Sequence, residues 1–259
     1  MKKILFINFI FLFYPICIFS IEIKISDGST YNGELKDGLF YGYGKQTWLN
    51  GDFFEGQYNN GMFNGKGKLT CKSYVYEGEF KDGLFNGKGN IEYANGSNYK
   101  GNFADGLYNG FGTLTDQIGN TYIGYFTDGI KNGEGYLSIN NGDSYTGNFE
   151  NDMFNGKGIY KEANGSYYVG YFKNNVFDGE GRYITAKGAE YKGIFNNGNF
   201  PEKYLNRDNF IVYNMKYIIT IVSILINIIL FKKLRKTNIT QKNGIEILEK
   251  KEGRYNESK

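Results

Sequence analysis

Residues 76–98 read YEGEFKDGLFNGKGNIEYANGSN, and the fold of the chain turns on how these 23 residues are placed. Tyr76, Gly78 and Phe80 alternate with Glu77 and Glu79, the period of two that sends one set of side chains to one face of a strand and the other set to the opposite face. With no side chain at Gly78, a neighbouring ring has room to lie over the backbone. Lys81-Asp82-Gly83 is a turn signal, after which Leu84-Phe85-Asn86 and the pair Gly87/Gly89 open a second strand. That strand runs to Asn95-Gly96, a hairpin signal expected to hold both central residues at positive φ.

The same pattern recurs along the chain. Paired glycines stand at Gly42/Gly44, Gly65/Gly67, Gly87/Gly89, Gly110/Gly112, Gly133/Gly135, Gly156/Gly158 and Gly179/Gly181, 23 residues apart with one step of 22. Before each pair comes a strand of aromatic, glycine, aromatic: Tyr99, Gly101, Phe103; Tyr122, Gly124, Phe126; Tyr145, Gly147, Phe149; Tyr168, Gly170, Phe172; and Tyr191, Gly193, Phe195. The first two copies vary it, with Tyr31, Gly33, Leu35 and then Phe54, Gly56, Tyr58. At the first turn most copies carry glycine, as at Gly83, but two carry Asp152 and Asn175, side chains able to follow glycine into the left-handed region, so the turn is expected to be kept. In the second copy the Asn-Gly turn gives way to Cys71-Lys72-Ser73, which predicts an irregular hairpin.

On these residues the unit resembles the MORN (membrane occupation and recognition nexus) repeat. The resemblance covers about residues 21–200, seven full copies with a half copy at each end. It implies an all-β fold, an elongated antiparallel meander of hairpins used for assembly, dimerisation or lipid contact. At two strands per copy and about 4.8 Å per strand, seven copies give a rod on the order of 70 Å long.

Composition excludes several chemistries. The chain has no His, so triads, zinc sites and proton shuttles built on imidazole are out. Its two cysteines are Cys17, within an apolar N-terminal stretch, and Cys71; removal of that stretch would leave Cys71 alone, with no paired-thiol site. None of the Gly-x-Gly pairs is followed by the third glycine of a dinucleotide fingerprint or by Gly-Lys-Ser/Thr. The sequence therefore points to no catalytic, cofactor-binding or metal-ligating residue, and to a protein that is not an enzyme. Residues 21–200 carry 16 basic and 21 acidic side chains, a net −5, which repels phosphate backbones and argues against a nucleic acid partner.

The positive charge sits at the ends. Lys2 and Lys3 precede an apolar run from Ile4 to Phe19 and then Ser20, the layout of a signal peptide or an uncleaved signal anchor over residues 1–20. Tyr217 to Phe231 is uncharged, and Lys232, Lys233, Arg235 and Lys236 follow it. Taken back to Phe210, this stretch gives a transmembrane helix over 210–231, with a linker at 201–209 and a basic, disordered tail over 232–259. Basic residues stay on the cytoplasmic side. A single-pass membrane protein is thus expected, its repeats extracytoplasmic (periplasmic, lumenal or extracellular) and its tail cytoplasmic.

Two functions fit this layout. One is a membrane-anchored scaffold presenting the rod for protein binding or assembly, with a second copy of the rod among its candidate partners. The alternative is a lipid-contacting tether, in which the repeats or the cluster Lys232, Lys233, Arg235 and Lys236 bind anionic phospholipid. The aromatic ladder is read as core, with any exposed ring available to a peptide, a glycan or another copy.

Overall fold

The computed structural model describes residues 21–201 as one antiparallel sheet of sixteen strands paired in sequence order. They are β1 (Ile21–Lys24), β2 (Thr30–Lys36), β3 (Leu39–Thr47), β4 (Phe53–Asn59), β5 (Met62–Thr70) and β6 (Tyr74–Lys81). Next come β7 (Leu84–Tyr93), β8 (Asn98–Ala104), β9 (Leu107–Thr115), β10 (Thr121–Thr127) and β11 (Ile130–Ser138). The last are β12 (Ser144–Glu150), β13 (Met153–Lys161), β14 (Tyr167–Lys173), β15 (Val176–Ile184) and β16 (Glu190–Phe195). Among the described residues no helix is long and apolar enough to cross a membrane. The signal expected over 1–20, the helix over 210–231, the tail over 232–259 and all of the linker but Pro201 lie outside the described residues.

Glycine sets the register. Gly78 pairs with Gly89 and Gly89 with Gly101, and the row continues through every strand from Gly33 in β2 to Gly193 in β16. A Cβ on Gly78 would sit 2.5 Å from the Tyr76 hydroxyl and 2.6 Å from the Cα of Gly89. The Tyr76 ring lies flat over this pair of glycines, and no other residue leaves it space.

The rings make the core. Phe85 stacks on Tyr76 with centroids 3.8 Å apart, while Phe80 and Phe103 meet the same ring edge-on at 5.0 and 5.1 Å. Tyr145 repeats the arrangement with Phe154 stacked at 3.8 Å and Phe149 and Phe172 edge-on at 5.2 and 5.0 Å. In these copies two ring partners of the first ring come from the same copy and the third from the copy that follows. Such contacts each add about 0.5–1.5 kcal/mol beyond burial, and they let one layer of sheet hide its apolar side without a second layer.

The first turn is left-handed as the sequence implies, while the second departs from the expectation for Asn95-Gly96. At the first turn Asp82 and Gly83 have φ of 50° and 79°, and Lys81 pairs with Leu84 across them, so this is the two-residue hairpin with both central residues left-handed. At the second turn only Gly96, at 86°, is left-handed. There Tyr93 N–H donates to Ser97 O and Gly96 N–H to Tyr93 O, a three-residue loop closed by a glycine bulge. Asn95 Oδ1 accepts from the Ser97 N–H at 3.0 Å, which holds Asn95 in an ordinary turn conformation. The turn at Asp152 and Asn175 is kept, at φ of 68° and 70°. The Cys71 hairpin is irregular as expected: Cys71 N–H donates to Tyr74 O across only two residues.

Hydrogen bonds also tie each copy to the one before it. Gly83 N–H donates to Phe63 O, Gly106 N–H to Phe85 O and Gly129 N–H to Tyr108 O, all at 2.8–2.9 Å. Asp152 and Asn175 keep this bond, to Lys131 O at 3.1 Å and Phe154 O at 3.0 Å, and their side chains add a return one, Asp152 Oδ1 accepting from Lys131 N–H at 2.9 Å and Asn175 Oδ1 from Phe154 N–H at 2.7 Å. Repeat therefore locks to repeat along both rings and turns.

Candidate interaction surface

The repeat-motif residues lie on the ring face, in the glycine row and at the turns. Tyr76, Phe80, Tyr99, Phe103, Tyr122, Phe126, Tyr145 and Phe149 are all buried on the ring side. Gly78, Gly89, Gly101, Gly124 and Gly147 lie in the glycine row, Gly83 is in a turn, and Gly87, at φ 63°, sits where the register of β6 on β7 slips. Lys232, Lys233, Arg235 and Lys236 lie outside the described residues.

At every slip but that of β4 on β5 the first-ring hydroxyl closes the backbone. Tyr76 Oη donates to Glu79 O at 2.8 Å, Tyr99 to Asn102 O at 2.8 Å, Tyr145 to Asn148 O at 2.9 Å and Tyr168 to Tyr171 O at 3.0 Å. Burial pushes these phenols well above the ordinary tyrosine range, so they remain protonated donors at any physiological pH. The second copy has its hydroxyl on the wrong ring. Phe54 occupies the first position and has none, while the buried Tyr58 Oη finds no hydrogen-bond partner.

The fifth full copy departs in another way. Where the others stack Phe or Tyr on the first ring, it carries Lys131, which is buried, with its ammonium 5.4 Å from the centroid of the Tyr122 ring. Burial lowers its pKa below the usual lysine value, against the pull of Asp152 and Asp116. A cation over an aromatic face replaces a stacked ring.

What differs from copy to copy is carried on the outward face, formed by the residues between the rings. On the side of the glycine row nearer the three-residue loops, neighbouring strands β3 to β8 align Lys45, Glu55, Lys68, Glu77, Asn90 and Lys100. Lys45 and Glu55 are 3.4 Å apart and Lys68 and Glu77 3.7 Å, all of them well exposed. From β9 to β14 the same row becomes Thr113, Ile123, Tyr136, Thr146, Ile159 and Val169, with no charge at all. Charge returns with Arg182 and Lys192.

Across the glycines, the parallel row over β9 to β14 holds Phe111, Tyr125, Glu134, Asn148, Lys157 and Tyr171. Phe111 and Tyr125 are half exposed, at 51% and 50%, and meet edge-on at 5.5 Å. Lys157 lies over Tyr171 at 5.4 Å. Together with Ile123, Tyr136 and Ile159, all more than a third exposed, these make an apolar patch that nothing in the sheet covers.

The sequence pattern held the signal for this patch in the two residues flanking each strand's central glycine. They are Glu77 and Glu79 in one copy but Ile123 and Tyr125, or Val169 and Tyr171, in others. Among the described residues no group of three or more Cys, Asp or Glu is placed to hold a metal ion.

The sequence model of the MORN repeat matches seven successive stretches, residues 31–53, 54–74, 76–98, 99–121, 122–144, 145–167 and 168–190. No curated protein matches the chain. Similar solved structures include the TCP domain of SAS-4 (dCPAP) of Drosophila melanogaster in complex with a proline-rich motif of Ana2 (dSTIL). It is 13% identical, with a TM-score of 0.36 over 75% of this chain and 99% of that one. The G-box domain of the microcephaly protein CPAP is similar at 12% identity, with a TM-score of 0.38 over 68% of this chain and 99% of that one.

Proposed function

The chain belongs to the MORN repeat family, and from that premise we propose that it is a non-enzymatic scaffold, held at a membrane and presenting its sheet for protein binding. The observation that carries the reading is the division of labour between the two faces. One face is closed by its own rings and is nearly the same in every copy, while the other is open and chemically varied. A surface of that kind suits recognition of another broad surface rather than enclosure of a small substrate.

In this reading the apolar segments at 4–19 and 217–231 supply the anchoring, with the repeats outside the cytoplasm and Lys232, Lys233, Arg235 and Lys236 at the cytoplasmic boundary. Proximity labelling from the full chain in its own membrane tests it. Enrichment of a defined protein set is the expected result, and recovery of bulk bilayer neighbours alone would defeat it. Protease protection of the repeats in sealed vesicles tests the orientation. Binding of the repeats to anionic vesicles at physiological salt would favour the tether over the scaffold; their net −5 predicts none.

A further inference from the structure

We infer that the outward face carries two matched arginine sites, Tyr125 with Glu134 and Tyr171 with Glu180, and that together they take an extended basic segment of a partner protein. This rests on the scaffold reading and names the chemistry of its partner.

The two sites are one arrangement built twice. Each copy places on the outward face the residue after the central glycine of its first strand and the residue between the paired glycines of its second. In the fifth and seventh copies these are Tyr and Glu: Gly124-Tyr125 with Gly133-Glu134-Gly135, and Gly170-Tyr171 with Gly179-Glu180-Gly181. A Cβ on Gly133 would lie 3.3 Å from the Cβ of Tyr125, and one on Gly179 3.2 Å from that of Tyr171. Each ring is therefore rooted against the residue that precedes its carboxylate. Both rings and both carboxylates are exposed.

Elsewhere the same two places balance their own charge. They hold Gln57 with Lys66, Glu79 with Lys88, and Asn148 with Lys157, and Lys66 stands directly opposite Glu79 across β5 and β6. The first copy reverses the pair as Glu34 and Tyr43, and there the Tyr43 hydroxyl donates to Glu55 at 3.1 Å. Glu134 and Glu180 differ. Among the described residues neither carboxylate has an ion-pair or hydrogen-bond partner, and across the strands they face Asn148 and Ile194. The complementary cation comes from outside the chain.

A carboxylate beside an exposed phenol selects arginine. Its flat guanidinium can lie on the ring while its N–H donors reach the carboxylate, which the compact ammonium of lysine does less well. The chain shows the first half of that chemistry itself, with Lys157 Nζ 5.4 Å from the centroid of the Tyr171 ring. The two sites are four strands apart, about 19 Å. An extended segment at about 3.4 Å per residue, with alternate side chains facing the sheet, covers that distance in about six residues. Lys157 stands between the sites and opposes a third cation. The segment is thus basic at two positions six apart and uncharged or acidic between them.

The test uses full chain purified in detergent and a fluorescent nine-residue peptide of serine and threonine with arginines at its second and eighth positions, read by anisotropy. Binding is expected, weakened at least about tenfold when Glu134→Gln and Glu180→Gln are combined, and lost when citrulline replaces both arginines. Moving the second arginine to the fourth position should weaken binding severalfold, since only one site can then be filled. Glu77→Gln, at a carboxylate already paired with Lys68, should leave it unchanged. No binding by about 1 mM peptide, equal binding of the citrulline peptide, or equal binding to a double variant of unchanged thermal midpoint would each overturn the proposal. The first of these holds whether or not anionic vesicles or a second copy of the chain occupy the face instead. A peptide that fails while proximity labelling enriches a defined protein set overturns this inference and leaves the scaffold reading intact; a bound peptide without an enriched set does the opposite.

Discussion

The ring face and the outward face are built by the same strands and obey different rules. On the ring face each side chain answers to three others, so Tyr145 is held by Phe149, Phe154 and Phe172 at once. On the outward face a residue meets only its cross-strand neighbours and water, and Glu77, Lys100, Ile123 and Val169 occupy equivalent places. Stability is concentrated on one side, which leaves the other free to vary.

The largest break in that contrast is expected from the glycine row. Gly101→Val would force a side chain to within 2.6 Å of the Gly112 Cα and 2.5 Å of the Tyr99 hydroxyl, costing about 4 kcal/mol or more and visible as a collapse of the urea midpoint. Thr113→Val, on the next strand but on the outward face, should change it by no more than about 0.5 kcal/mol. Next comes truncation of a first ring: Tyr145→Ala should lose about 3–5 kcal/mol in the same assay. Tyr136→Ala, on the far side of the sheet, should lose under about 1 kcal/mol.

A smaller effect of opposite sign sharpens the comparison. Exchanging the rings of the second copy, as Phe54→Tyr with Tyr58→Phe, supplies a donor for the Gln57 carbonyl and removes a buried hydroxyl without a partner. A gain of about 1–2 kcal/mol is expected, measured as a raised thermal midpoint. Lys131→Phe should also stabilise, and its effect depends on pH. Because burial lowers the Lys131 pKa in the folded state, the unfolded chain holds that proton more tightly, and wild-type stability rises with pH until the unfolded value near 10.5 is passed. The gap between Lys131→Phe and wild type should therefore narrow from neutrality towards pH of about 10; a constant gap would show that the charge is not what costs stability. Above about 10 the buried tyrosines, whose pKa values are raised, take stability away from both. The smallest change is expected at Glu77→Gln, where loss of an exposed pair with Lys68 should leave stability within about 0.5 kcal/mol.

Nearly all of the fold could be read from the spacing of rings and glycines, because a period of two interrupted at fixed intervals admits few arrangements. The turns were harder to read. Asp-Gly and Asn-Gly are both hairpin signals, and their types are decided by how many residues the glycine row leaves between the strands, a matter of register. With Gly89 opposite Gly101, three residues must close the loop at Ala94 to Gly96, while the slip at Gly87 leaves two for Asp82-Gly83. The hydroxyl bonds of the first rings were likewise hidden, since they depend on a carbonyl placed by that slip. Lys131 reads as an ordinary exposed lysine until the ring positions of its neighbours are laid over it. The apolar patch needs two strands from different copies brought side by side before Phe111, Tyr125 and Tyr136 become one surface.

The strand order has a mechanical meaning. Each hairpin touches only the one before and the one after, so a load applied between the ends of the array peels hydrogen bonds apart in turn instead of shearing a whole ladder together. A freed copy of 23 residues at about 3.4 Å each would pay out on the order of 70 Å of slack. The array would yield from whichever end is weaker and re-form copy by copy when the load falls, behaving as a spring with discrete stops.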